Sequence, residues 1–565
     1  MNTDNRGLIL ALDIGTNNTC GSYINPNTGR AEIIEVGSLR SIPSFFGYNH
    51  KGEEIIGLAA KKKFCDGISE VIGRAKYLVG KQIPRDAIKV YSEKCGAEIR
   101  FNQEGYCYFH LPKKEVDINP SELYKRMINL YVSLLQRKVN GHAEKIRITV
   151  PASFDAIQRD LVKRVAEECG FESENISLLN EPSAAAYMYW HEAKPAEGKF
   201  LVYDFGGGTF DISLVGINNG ELEVLDYGGD PELGGCDIDE AIANEYLTEI
   251  EGRNLPVIRR EMSENVKRRI MGKLLQRCEE SKIRLGETDT LGYGGELVME
   301  NDDLSDEDKE EPVGNEVVTI NIADVLYVKE DGGEEEESVE YEYEYQFTRE
   351  NLIQVSQPLI DKTIGLVRDL LERNGLDGSD ILSVIVVGGS SLLPSVKRSL
   401  ETIFHPRQIM DTVPPKEVVS LGACYSLFEN YGLKERSTYS LGVEMKKKNH
   451  VQWLIPKNVP LPYQCDCTIT TTEDYQTYIV TNLVQGKSTE AMTKKEKKLI
   501  RLGSIYCDIN AVDKKKGEVS FDITYIFESD GCVHVRIVER GVDEPIYNDN
   551  VRWKECNVCS KTIPL

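Results

Sequence analysis

One stretch, Val202-Tyr203-Asp204-Phe205-Gly206-Gly207-Gly208-Thr209-Phe210-Asp211-Ile212-Ser213, constrains the fold more than any other. Residues 199–203 are an apolar run that predicts the first strand of a buried hairpin, and residues 210–215 predict its return. Three consecutive glycines lie between them. Without Cβ atoms they let the backbone approach an anion closely, so their N–H groups can cradle phosphate oxygens. Asp204 and Asp211 bracket the turn and can hold a hydrated divalent cation against the same phosphates. A tight hairpin with no ligand would also use glycines, and one such turn leaves that reading standing. A second turn shifts the balance. Residues 8–12 are apolar, Asp13-Ile14-Gly15-Thr16-Asn17-Asn18-Thr19-Cys20 follows, and residues 21–24 return as a strand. Two strand–Asp–Gly–Thr hairpins about 190 residues apart suggest a duplicated lobe with a nucleotide between the copies.

At 565 residues the chain is long enough for several domains with large cores. A formal net charge of −25 argues against a nucleic-acid phosphate binder. No apolar run approaches a membrane span, and the start carries no basic segment with a cleavage site, so a cytoplasmic protein is expected. The 14 scattered cysteines read as reduced thiols rather than a disulfide scaffold. Cys465/Cys467 and Cys556/Cys559 are close pairs, and a lone CxxC is weak evidence for zinc.

In chain order, residues 32–48 predict further strands and turns. Lys76 follows a helical stretch and, on composition alone, can be a solvated surface lysine. Ser121 is a candidate N-cap for an amphipathic helix with Leu123, Met127, Leu130 and Leu134 on one face. Residues 146–150 are a buried strand that Pro151 stops, and residues 155–169 a helix closed by Gly170. Leu178-Leu179-Asn180-Glu181-Pro182 puts a carboxylate at a strand end before an alanine-rich helix, which Glu181 can simply cap. Residues 233–237 lead into a helix from Ile238, and residues 261–285 form a long charged helix carrying Glu279 and Lys282, ordinarily a solvated face. The acidic runs 302–311 and 334–337 read as mobile loops flanking a strand at 317–322. Residues 382–387 are a buried strand ended by Gly388-Gly389-Ser390-Ser391, and Pro394 starts a helix, a unit suited to a nucleoside. Beyond Tyr431 alternating strands at 468–472, 477–483 and 519–526 predict a separate antiparallel β domain.

These residues carry a resemblance. Leu12-Asp13-Ile14-Gly15-Thr16, the glycine hairpin, Asn180-Glu181-Pro182, Val386-Val387-Gly388-Gly389, Ile148-Thr149-Val150-Pro151-Ala152 and Asp530-Gly531 together resemble the seventy-kilodalton heat-shock chaperone family, of which DnaK is the bacterial member. The similarity spans nearly the whole chain. Actin and the sugar kinases share the two phosphate turns, whereas Lys76 in its setting and the C-terminal β domain are features of the chaperones. The resemblance implies an α/β fold: a two-lobed actin-like (duplicated ribonuclease-H-like) ATPase domain followed by an antiparallel β-sandwich. The boundaries expected are 1–432 for the ATPase domain, with lobe I at 1–189 and 390–432, lobe II at 190–389 and acidic insertions near 300–345. A linker at 433–438 and a peptide-binding domain at 439–565 follow, with the family's helical lid absent and peptide release correspondingly faster.

Site roles follow from the same resemblance. Asp13 and Asp204 would orient hydrated magnesium, with Glu181 as a further carboxylate, and Asp211 would help bind potassium. Thr16 and Thr209 would touch the phosphates, and Lys76 would lie beside the γ-phosphate of ATP and help place the attacking water. Gly15, Asn17, Asn18, Gly207, Gly208 and Gly235 would line the phosphate side. Glu279, Lys282, Gly286, Gly388, Gly389 and Ser390 would line the nucleoside side. The chemistry implied is in-line attack of water on ATP, giving ADP. Pro151 and Arg159 resemble the family's relay to the β domain, which would bind unfolded or extended peptides; a J-domain co-chaperone and a nucleotide-exchange factor are implied partners. The chain also departs from the family. Ile283 and Leu392 stand where it stacks adenine between arginines. Asn17 and Asn18 alter the phosphate turn. Leu433-Lys434-Glu435-Arg436 is polar where the family's linker is apolar, and Lys446-Lys447-Lys448 lies near the expected peptide groove. Two functions are therefore expected: an ATP-hydrolysing chaperone, or an ATP-bound, non-cycling scaffold or exchange partner of another chaperone. A sugar kinase is a distant third that leaves the β domain unexplained.

Overall fold

The computed structural model describes residues 8–551 apart from 104, 195–196, 219–220, 253–263, 287–316, 321–324, 328–336, 340–344, 411–413, 430–432, 446–449, 487–498, 510 and 512. The acidic runs at 302–311 and 334–337, apart from Glu337, the Lys446–448 run and Cys556/Cys559 lie outside the described residues.

Two sheets repeat one plan. In the first, Leu8–Ile14 pairs antiparallel with Asn18–Ile24, which pairs with Ala31–Ile33; on its other side Leu8–Ile14 pairs parallel with Ala143–Val150, and that strand with Ile176–Asn180. Ile42–Pro43 also joins Asn18–Ile24. In the second, Gly198–Phe205 pairs antiparallel with Phe210–Asn218 and onward to Glu221–Asp230. On its other side it pairs parallel with Ser383–Val387 and then Ile409–Met410. The same order of three antiparallel and two parallel neighbours sets both hairpin turns at equivalent sheet positions.

Aromatic packing pins the second turn. Phe205 and Phe210 close the hairpin as a cross-strand pair, both fully buried, with their rings edge to face at 5.9 Å. Tyr203 tilts against Phe210 at 4.8 Å. Burying each ring contributes about 1.5–3 kcal/mol, which holds a four-residue loop that has no apolar side chain of its own.

The helices adjust several expectations. Asp155 caps Ala156–Glu168 in a reciprocal box with Gln158, as a side-chain acceptor before a helix should. Ser121 occupies the N-cap of Glu122–Val139 but makes no capping bond; its N–H and hydroxyl both donate to Asn119 instead. The buried stripe there is Leu123, Tyr124, Met127, Ile128, Tyr131 and Leu135, with Leu130 and Leu134 only half-buried. Two tyrosines widen that stripe toward the cleft. The helix expected from Ile238 begins at Gly235, because Asp237 accepts the Gly234 N–H at 2.8 Å and starts the turn earlier. Residues 390–410, expected with the first half, pack in the second core: Ile409 pairs with Val384, and Leu393, Val396, Leu400 and Phe404 share the cluster of Leu201, Phe205 and Phe210. The helices Glu181–Ala193 and Val418–Phe428 cross between the two sheets and fill the seam with alanine, valine and Tyr187.

The C-terminal part holds two four-stranded antiparallel sheets. One runs His450–Ile455, Ser440–Met445, Tyr478–Gly486, Ile500–Asp508; the other runs Tyr463–Thr470, Ser520–Phe527, Val533–Glu539, Pro545–Asn550. Alternate residues Phe521, Ile523, Tyr525 and Phe527 are buried, the period-two pattern of a half-solvated sheet. Cys465 and Cys467 sit two apart on Tyr463–Thr470 as half-buried free thiols.

Candidate functional site

Both hairpin turns face one cleft. Its lining includes Asp13, Gly15, Thr16, Asn17 and Asn18 from the first turn and Asp204, Gly207, Gly208 and Thr209 from the second. Lys76, Glu181, Glu279, Lys282, Gly286, Gly388, Gly389 and Ser390 complete it, together with Ile283 and Leu392. Of the expected site residues, Asp211 and Gly235 lie behind the wall rather than on it.

Backbone contacts explain the glycines. A Cβ on Gly208 would stand 2.6 Å from the Tyr77 hydroxyl and 2.7 Å from Thr16 Cγ2, and one on Gly207 would stand 2.8 Å from Asn17 Cγ. The second turn therefore lies directly against the first. Gly388 has φ 84°, and its Cβ would meet Phe205 O at 2.4 Å and Asp204 Oδ1 at 2.8 Å; only glycine fits there without strain. Gly235 donates to Gly206 O at 3.0 Å and accepts from Lys282 at 2.8 Å, so it braces the loop from behind.

The charged centre is buried. Lys76 lies on the 3-10 turn Ala75–Leu78, entered through Arg74 in the left-handed conformation, and is only 4% exposed. The solvated-lysine alternative fails accordingly. Its ammonium donates to Glu181 Oε1 at 2.6 Å. Glu181 is thus an ion-pair partner as well as a first-turn acid of its helix; Asn180 stands at the N-cap and makes no capping bond. Thr149, paired with Asp13 across the parallel strands, donates its hydroxyl to Asp13 at 2.9 Å. The Thr209 side chain hydrogen-bonds Asp211, whose other carboxylate oxygen is buried without a hydrogen-bond partner.

These acids crowd one cation. Burial, then repulsion from Glu181, push Asp13 up to about 7 against the pull of Lys76 and Thr149. The same two causes take Asp211 to about 7 and raise Asp204 well above the usual carboxylate range. Burial alone would lower Lys76; Glu181, Tyr124 and Asp13 outweigh it and raise the pKa. Acids raised in the folded state bind more protons there than when unfolded. Their stabilisation is present at low pH and is lost as pH rises through about 7. The nucleotide-free protein should therefore lose thermal stability as pH rises from about 4 to about 7, and Asp211→Asn, a mimic of the protonated acid, should flatten that slope. Thermal unfolding of both proteins across the range checks this; equal slopes would refute it.

Several contacting groups carry no local sequence signal. Tyr77 donates to Gly208 O at 3.2 Å, Cys236 Sγ to Asn17 Oδ1 at 3.2 Å, and Lys61 to Glu279 at 2.7 Å. Lys282, 8% exposed, pairs with Asp239 at 2.7 Å, so this stretch of the long helix is no solvated face.

A second polar cluster joins the cleft to the C-terminal sheets. Arg159, 4% exposed, donates to Asn180 Oδ1 at 2.7 Å, Phe154 O at 3.0 Å and Asp530 O at 2.8 Å. Lys163 reaches the Asp530 carboxylate at 2.8 Å. Lys434 exchanges backbone bonds with Leu222 and Val224, laying the connecting segment along the edge of the second sheet. Glu435, 5% exposed, accepts from Asn180 Nδ2 at 2.9 Å and from the Tyr227 hydroxyl.

A family model described as Hsp70 protein matches residues 9–306 and 334–548. The chain belongs to the Hsp70 family. Among Hsp70 relatives it is 27% identical over 551 residues to the heat shock cognate HSP70 protein of Trypanosoma brucei brucei, covering 94% of this chain and 73% of that protein. It is 26% identical over 541 residues to the chaperone protein dnaK1 of Prochlorococcus marinus subsp. pastoris, covering 94% and 73%. It is 28% identical over 545 residues to the chaperone protein HscA of Buchnera aphidicola subsp. Schizaphis graminum, covering 94% and 77%. Among the described residues no helix is long and apolar enough to cross a membrane. No group of three or more His, Cys, Asp or Glu among them could by itself hold a metal ion.

Proposed function

We propose that this Hsp70-family chain is an ATP-hydrolysing chaperone whose nucleotide state sets its hold on unfolded or extended peptides. The reading divides it into a two-lobed actin-like ATPase domain, a linker at 433–438 and a β-sandwich peptide-binding domain. The buried Lys76–Glu181 pair, set in one cleft with Asp13, Asp204 and both glycine turns, carries the reading.

The cleft's donor set fits a nucleotide with hydrated magnesium. The glycine cradle has no room for side chains, and the acids outnumber the nearby cations. Asp13, Glu181 and Asp204 line one cleft, and because magnesium ordinarily keeps several of its waters, these carboxylates would hold its water shell. Magnesium, when bound, supplies charge neutralisation on the phosphates. The N–H groups of Gly15 and Gly206 close their turns on Asn18 O and Thr209 O, which leaves those of Thr16, Asn17, Gly207 and Gly208 to grip the phosphate oxygens. Lys76 neutralises charge at the phosphoryl group being transferred and orients the attacking water, while Thr16 and Thr209 hold its equatorial oxygens. Asp211, with an unpartnered oxygen behind the turn, is the candidate for potassium. The β sheets would hold peptide by strand-type backbone contacts. The Asn180–Arg159–Asp530 bonds would couple the two sites, and such coupling must act in both directions. The docked Glu435 supports this despite the polar linker, because its carboxylate supplies the attachment.

Single-turnover hydrolysis of ATP with magnesium and potassium, with and without a peptide panel, tests the proposal. Slow turnover that peptide accelerates is expected. No turnover despite tight ATP binding would favour the non-cycling scaffold instead.

A further inference from the structure

We propose that the cleft grips its nucleotide by the phosphates and does not choose among purine bases, so that GTP and ITP bind within about tenfold of ATP. This rests on the nucleotide reading above. Beyond the glycine turns the cleft is walled by Ile283, Leu392 and Leu393. Gly286 adds no side chain there, and a Cβ on it would meet only Leu393 Cδ2, at 3.5 Å.

Three polar side chains at this end are tied to protein partners. Glu279 is held by Lys61 at 2.7 Å. Lys282 is held by Asp239 at 2.7 Å and by Gly235 O at 2.8 Å. The Ser390 hydroxyl donates to Gly206 O at 2.8 Å. Exposed Lys416 also lines the cleft, its Cε 3.5 Å from where a Cβ on Gly389 would stand. An ammonium only donates. Adenine presents a donor at its six position, whereas guanine and hypoxanthine present an acceptor, so Lys416 gives adenine no advantage there. The side chains of Ile283, Leu392 and Leu393, and Gly286 beside them, offer adenine's edge no hydrogen bond.

The magnitudes favour weak selectivity. A site that hydrogen-bonds a substrate group rejects the analogue lacking it by about 10⁴–10⁵, because its own buried polar groups are left unpaired. An apolar wall has no such groups to strand, and stacking is tolerant of base identity.

The test is displacement of a fluorescent methylanthraniloyl-ADP from the full chain, with magnesium, by ATP, GTP, ITP and tripolyphosphate. ATP, GTP and ITP are expected within about tenfold of one another, with tripolyphosphate weaker for want of stacking. Leu392→Ala, at a partly exposed position, should weaken all three nucleotides alike and leave their ratios unchanged. A preference for ATP above tenfold, or ratios that shift in Leu392→Ala, would overturn the inference and leave the nucleotide reading standing. Failure of the fluorescent ADP to bind would overturn both.

Discussion

Lys76→Ala is expected to lower single-turnover ATP hydrolysis by about 10²–10³, the usual effect of deleting one charge-stabilising donor from a dry site. Nucleotide binding should change far less, because most of the grip comes from backbone N–H groups of the two turns. The variant also removes the cation that faces Asp13, Glu181 and Asp204. Stranding one partner of a buried pair costs about 3–5 kcal/mol, so the nucleotide-free variant should melt earlier than wild type. Magnesium and ATP should recover part of that loss by supplying positive charge to the same carboxylates. Turnover, fluorescent-ADP affinity and thermal unfolding, measured on one preparation, separate the chemical defect from the folding defect. Unaltered turnover in a folded variant would defeat the assignment of Lys76.

The parts of this site legible in sequence were those whose chemistry is local. A glycine triplet between two apolar runs has few uses, and its partner at residues 13–16 uses the same grammar. Asn180-Glu181-Pro182 marks a strand-to-helix corner, and to the first-turn acid expected there the fold adds a tertiary partner 105 positions away. What did not show locally was long-range pairing. Nothing near Lys61 or Asp239 announces Glu279 and Lys282 as partners, and a charged helix is normally solvated. The resemblance alone places residues 390–410 in the first half, whereas Leu393, Val396, Leu400 and Phe404 pack in the second core and Ile409 pairs with Val384, contacts that no local pattern announces. Polarity misled most at 433–436. The segment is polar where the family's linker is apolar, yet Glu435 docks through its carboxylate, against donors supplied by Asn180 and Tyr227.

That geometry makes Arg159 the residue whose loss should most change communication while sparing chemistry. Its guanidinium spans the gap: one nitrogen on Asn180, the neighbour of Glu181 in the chain, another on the Asp530 carbonyl. Gly531, at φ 79°, lets the loop close on it; a Cβ there would stand 3.0 Å from Arg159 Nε. Arg159→Ala leaves these buried acceptors unpaired and should cost about 1–3 kcal/mol of stability. It should also reduce the peptide-dependent acceleration of ATP turnover by a factor of about 2–30, the range of coupling energies that single residues carry. Basal turnover should hold, because Lys76, Glu181 and both turns are untouched. Lys163→Ala is the control, since it deletes the ion pair to Asp530 and keeps the bonds to Asn180. If Arg159→Ala lowers basal and peptide-stimulated turnover equally, Arg159 supports the cleft and is no relay. If only the stimulated rate falls, the two sites communicate through Arg159.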